Sequence, residues 1–148
     1  MFNEELILLN SSVKTQDELF QQVSEYLLKK GYVNEDYEIN IKKREATFPT
    51  GINTAVCGVA LPHTDSEYIE KPGICFVRTQ NDVLFKEMVS NEPVQAKLFF
   101  FLLVKEKHQQ VDVLSSLMGK LSDETFLNTL LILDKNDSVL QLLKTEVM

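Results

Sequence analysis

Residues 96–104 read AKLFFFLLV, the longest apolar stretch of the chain, unbroken from Leu98 to Val104. It is far shorter than the roughly 20 residues that a membrane-spanning helix needs. Its short, aromatic and β-branched character instead suits a strand buried within a sheet. The stretches NTAVCGVAL (53–61), GICFVRT (73–79) and NDVLF (81–85) share that character, so the middle of the chain is expected to be a block of strands.

Helical patterns lie on either side of this block. The segment TQDELFQQVSEYLLKKG (15–31) opens with Thr15 and Glu18 at capping-box spacing and closes at Gly31 after a basic last turn. Leu19, Phe20, Val23, Tyr26 and Leu27 fall on one face of it. A second helix is expected from near Asn34 to before Pro49, because the proline pushes Phe48 out of helical geometry. A short strand is expected before both, at Glu5 to Leu9. Downstream of Lys107, Val111, Leu114, Leu117, Met118 and Leu121 share a helical face, Ser122 is placed to cap the following helix, and Asp137 or Ser138 to start a last one. Helices at both ends and strands without intervening helices predict an α/β sandwich, a mixed β-sheet flanked by helices with some antiparallel or non-sequential pairing.

At 148 residues the chain has the length of one domain, and burying roughly 70% of the unfolded surface gives it a sizeable core. No linker-like or repetitive tract divides it. A formal net charge of -7 sets its field against polyphosphate, so nucleic acid is not an expected partner. An acidic surface suits a basic protein partner, and equally suits solubility alone. Cys57 and Cys75 sit in apolar runs without C-x-x-C spacing and read as small hydrophobes in a reducing compartment. The acidic start MFNEELILLN is unlike a secretory signal, and the expected location is cytoplasmic.

The candidates for chemistry stand at element ends. In GVALPHTD (58–65), Pro62 extends Leu61 and removes a ladder donor, so the sheet is expected to stop there and display His63 where the chain turns away. Arg44 and Glu45 precede TFPTG, whose Thr50 and Gly51 offer a hydroxyl and backbone N–H groups to an oxyanion. His108 stands at a helix start, where an anion is favoured. Taken singly, each has a plain structural reading: a surface-turn histidine, a solvated helix-end arginine, an ordinary Pro-Thr-Gly turn, an exposed helix-start histidine. His63 and His108 with Asp65 or Glu67 lack tight zinc-ligand spacing. There is no G-x-S-x-G elbow, P-loop or G-x-G-x-x-G fingerprint, which leaves histidine chemistry without an evident cofactor, triad or nucleotide.

Taken together and in this order, REATFPTGI, GVALPHTD and HQQVDVLSSLMGKL resemble the enzyme IIA family of the bacterial sugar phosphotransferase system, in its fructose/mannitol superfamily. The similarity covers nearly the whole chain, 1–148, as one enzyme IIA domain of the mannitol/fructose-type sandwich. The EATFPTGI wording looks most like the galactitol type, and Thr64 stands where mannitol-type members commonly carry glycine.

The resemblance implies a phosphotransferase that carries phosphate on His63. It would be loaded by the histidine phosphocarrier protein and emptied onto a cysteine of the IIB component, with a membrane IIC component as an indirect partner. Nε2 is the implied acceptor atom, and Arg44 and His108 are the implied flanking groups. The physics agrees: a neutral imidazole is a competent nucleophile, and phosphoryl transfer asks mainly for in-line positioning and charge stabilisation. The implied substrate system is galactitol or a related polyol. Two other readings are a regulatory binding module that signals through the same phosphohistidine, and a metal-dependent hydrolase built on His63, Asp65 and His108.

Overall fold

The computed structural model describes residues 1–148, apart from the side chains at 107, 109 and 110. Five strands, β1 (Ile7–Ser11), β2 (Gly51–Asn53), β3 (Gly58–Ala60), β4 (Gly73–Lys86) and β5 (Pro93–Leu103), form one sheet in the order β1-β4-β5-β3-β2. β1 runs parallel to β4 and β3 parallel to β5, whereas β4/β5 and β2/β3 are antiparallel. This is the mixed sheet expected from strands that lack intervening helices.

The central pair β4/β5 shows why the phenylalanine run is a strand. Side chains alternate across a sheet, so Phe99, Phe101 and Leu103 face one layer and Leu98 and Phe100 the other, all fully buried. The first layer is closed by α1 (Gln16–Lys29) and α2 (Tyr37–Thr47), with Phe20 edge-on to Phe85 and Phe101 at 5.8 and 5.9 Å. The second is closed by α3 (Lys107–Lys120), α4 (Glu124–Ile132) and α5 (Asn136–Glu146), through Leu117, Leu127, Leu130 and Leu143. No helix among the described residues is long and apolar enough to cross a membrane.

The α1 boundaries follow the local signals. The Thr15 hydroxyl accepts from the Glu18 N–H at 3.1 Å. At the other end the Tyr32 and Gly31 N–H groups reach back to the Leu27 and Leu28 carbonyls, with Gly31 at φ +81. Leu19, Phe20, Val23 and Leu27 are buried as their spacing requires, and Tyr26 is half-buried.

Other expectations need correction, several of them where a side chain redirected the backbone. The first strand begins at Ile7, not Glu5, because a tight 3₁₀ turn at Glu4–Leu6 buries Leu6 first. α2 starts at Tyr37, since the Asn34 side chain accepts from the Asp36 N–H at 3.0 Å and holds a turn there. The supposed strand 53–61 is a hairpin: the Thr54 hydroxyl accepts from the Val56 and Cys57 N–H groups and donates to the Cys57 carbonyl, taking those residues out of the ladder.

Conversely, 73–79 and 81–85 are one strand, bent between Arg78 and Val83 by an irregularity that Thr79 and Asn81 satisfy with side-chain bonds. Asp123, not Ser122, caps α4, accepting from the Phe126 N–H at 3.0 Å. The last helix starts one residue early, at Asn136. Along α3 and its C-cap, Leu117 and Leu121 are buried as expected, but Val111 is exposed where the first part of the helix overhangs a cleft, and Met118 is exposed near its end.

Cys57 and Cys75 are both free; burial pushes their thiols up to about 11 and about 12, so they are inert as nucleophiles at neutral pH. The turn joining β4 to β5 stores local strain. Val89 sits there at φ +77 with its side chain fully exposed, a conformation that penalises a β-branched residue. Val89→Asn is expected to stabilise the fold by about 1 kcal/mol, since asparagine tolerates this region and no packing is lost. A higher urea midpoint with an unchanged slope is the expected reading.

Candidate functional site

β3 is held on both sides, by β5 and by β2, and runs directly into Pro62 and His63. The expected end of the ladder at Pro62 is only half right. The proline contributes no N–H, yet its carbonyl accepts from the Leu102 N–H at 3.0 Å, and His63 forms one further parallel bridge with Leu102. His63 is therefore fixed to the sheet edge, not released into a free turn.

Its ring is half-buried, with Nδ1 2.8 Å from the Leu61 carbonyl oxygen. A carbonyl only accepts, so Nδ1 carries the hydrogen and donates it, leaving the Nε2 lone pair as the free nucleophilic position. The backbone thus sets both the tautomer and the ring orientation.

Arg44 comes from the last turn of α2, where a cation complements the helix dipole. The helix ends at Phe48, whose N–H bonds the Arg44 carbonyl at 2.7 Å, and Pro49 prevents continuation. The guanidinium lies 5.1 Å from the Phe48 ring centre and places Nη1 3.0 Å from an Asp65 carboxylate oxygen. In the sequence Asp65 stands out only as a metal-ligand candidate; its partnership with Arg44, 21 positions away, has no local signal.

The neighbouring Glu45 turns inward. It is buried and accepts from the Thr50 N–H and hydroxyl, each at 2.7 Å. The Thr50 hydroxyl is therefore committed to Glu45, and Gly51 lies in β2; neither forms the oxyanion turn that Pro-Thr-Gly suggested. The Glu45 bonds tie the loop after α2 to the helix, fixing where Arg44 sits relative to the sheet.

Burial raises the Glu45 carboxyl above the usual range, against the lowering effect of the two Thr50 bonds. The stability contributed by its proton is full below the ordinary carboxylate range and is lost as pH rises through the raised value. Glu45→Gln is expected to flatten that loss while keeping both contacts, the amide oxygen accepting the N–H and the amide nitrogen donating to the hydroxyl. Glu45→Ala strands two buried donors and is expected to cost about 1–3 kcal/mol. Urea titrations across pH separate the two variants.

Arg44, His63, Thr64, Asp65, Ser66 and Glu67 share an open cleft of about 690 Å³ whose apolar wall includes Leu102, Val104, Val111 and Leu114. Arg44 is the one permanent cation among these described lining residues. The structure thus brings Arg44 and His63 together. His108 stands exposed at the second position of α3, outside this lining, although Val111, one turn further along, is part of it. An imidazole with a free Nε2 beside a guanidinium in an open cleft suits transfer of an anionic group between partners large enough to need access.

The family model for the phosphoenolpyruvate-dependent sugar phosphotransferase system, EIIA 2, matches residues 1–146. The chain is 30% identical over 118 residues to the galactitol-specific EIIA component of Escherichia coli, covering 80% of this chain and 79% of that one. The crystal structure of IIA mannitol from Escherichia coli superposes with a TM-score of 0.77 at 28% identity, over 97% of this chain and 99% of that one. The complex of mannitol enzyme IIA with phosphorylated enzyme IIB from Escherichia coli matches with a TM-score of 0.78 at 27% identity, over 98% of each chain.

Proposed function

Because the chain belongs to the EIIA 2 family of the phosphoenolpyruvate-dependent sugar phosphotransferase system, whose members are phosphotransferases carrying a phosphohistidine, we propose that His63 is the phosphorylated residue and Nε2 the acceptor atom. The observation that carries this is the bond from Nδ1 to the Leu61 carbonyl, which leaves Nε2 free above an open cleft. The ring keeps its Nδ1 proton when Nε2 takes the phosphoryl group, and the Leu61 carbonyl then supports the resulting positive charge. Arg44 steadies the phosphoryl oxygens, and His108 approaches them from the start of α3 as the lesser flanking group.

In this reading residues 1–148 act as one cytoplasmic IIA domain. It is loaded by the histidine phosphocarrier protein and discharges to a IIB cysteine, with a IIC component downstream in the membrane. The likeness to mannitol IIA bound to phosphorylated IIB supports the second partner, and the 30% identity to the galactitol-specific component supports galactitol or a related polyol as the transported sugar.

The test is to incubate the protein with phosphoenolpyruvate, enzyme I and the histidine phosphocarrier protein, and then to add galactitol-type IIB. One acid-labile phosphate by intact-mass spectrometry, lost when IIB is added, is the expected result. A phosphate that stays in place with IIB would favour a regulatory module. In the same assay Arg44→Ala is expected to slow loading by roughly a hundredfold, the typical effect of losing one donor to a transferring oxyanion. His108→Ala is expected to slow loading less.

A further inference from the structure

The Arg44 guanidinium is held but not satisfied. Nη1 pairs with Asp65 at 3.0 Å and Phe48 packs on its face, while Nε is buried without an acceptor. Asp65 follows His63 by two positions and keeps 70% of its side chain exposed, so its carboxylate stands at the rim of the same cleft. A phosphoryl group on His63 would bring close to two negative charges toward a cleft whose described lining offers one permanent cation, already engaged by Asp65. Two anions then compete for one guanidinium.

We infer that Asp65 is a positioning residue that works by partner exchange. In the empty state it holds Arg44 beside His63. In the loaded state it cedes Arg44 to the phosphoryl oxygens, and the loss of the ion pair raises the free energy of the phosphohistidine, favouring onward delivery. The exchange is readily accessible because an exposed ion pair in water is weak. The inference rests on His63 as the acceptor. In the loading step the donor's nitrogen–phosphorus bond breaks as the bond from Nε2 to phosphorus forms, and the Nδ1 proton stays where it is.

The test equilibrates phosphorylated histidine phosphocarrier protein with this protein and reads the phosphate on both by intact-mass spectrometry. Asp65→Asn is expected to move the equilibrium toward the loaded protein by about 1.5- to fivefold, the range of a weak exposed pair. Asp65→Glu should restore the wild-type ratio. In an Arg44→Ala background the Asp65→Asn shift should shrink to the part due to direct repulsion between the Asp65 carboxylate and the phosphoryl group, because no pair remains to be lost. An unchanged or opposite ratio in Asp65→Asn, or a full-sized shift that persists without Arg44, overturns the exchange while leaving the carrier function intact. Failure of the wild-type protein to take up phosphate on His63 overturns both.

Discussion

His63→Ala is expected to take up no acid-labile phosphate under conditions that load the wild-type protein completely. The loss should be total because the substitution removes the nucleophile itself, whereas a flanking group only lowers a barrier. Thr64 and Ser66 place hydroxyls near the same cleft, but a hydroxyl needs a base to become nucleophilic, and its phosphate ester would survive acid. The variant should fold normally, since the half-exposed ring gives up its hydrogen bond to the Leu61 carbonyl, worth about 1 kcal/mol. Intact-mass spectrometry before and after acid treatment, run beside His108→Ala, decides the matter. An adduct that persists in His63→Ala and disappears in His108→Ala would move the acceptor to the start of α3.

Gly58→Ala is expected to destabilise the fold by roughly 3 kcal/mol and to impair loading with it. A Cβ at Gly58 would lie 2.3 Å from the Gln95 carbonyl oxygen and 2.7 Å from Val94 Cγ1. The first of these is backbone of β5, which cannot yield because Gln95 is in register with Leu84 of β4. The shift must fall on β3, which leads through Leu61 and Pro62 to His63, so a lower urea midpoint should be accompanied by slower phosphate uptake. Gly119→Ala is the control. Nothing lies within 4 Å of that Cβ position, and alanine in place of glycine within α3 should stabilise by about 0.5–1 kcal/mol. Equal effects from the two substitutions would show that the close approach of β3 and β5 is not what constrains Gly58.

What could be read before the structure was known was local and periodic. The buried strand within 96–104, the Thr15 cap with Gly31 at the far end of α1, and the mixed sheet between two helical layers all follow from short-range composition and spacing. That His63 and Arg44 stand at element ends was also legible, because a proline before a histidine and a helix end before a proline are short-range marks.

Three of the misplaced boundaries have a common cause. Thr54, Asn34 and Asp123 each offer the backbone a side-chain partner, and sequence spacing alone does not say which competing bond wins. The cleft chemistry lay further out of reach. The Leu102 bridge that anchors His63, the ion pair between Arg44 and Asp65, and the exposure of Val111 arise between segments brought together by the sheet. The sequence by itself determined most of the elements and their amphipathic faces, and it marked His63 as a candidate, because those depend on local spacing and burial. Only the tertiary structure decided which ring nitrogen is free, which anion holds the arginine and what shares the cleft, because those depend on groups meeting across the fold.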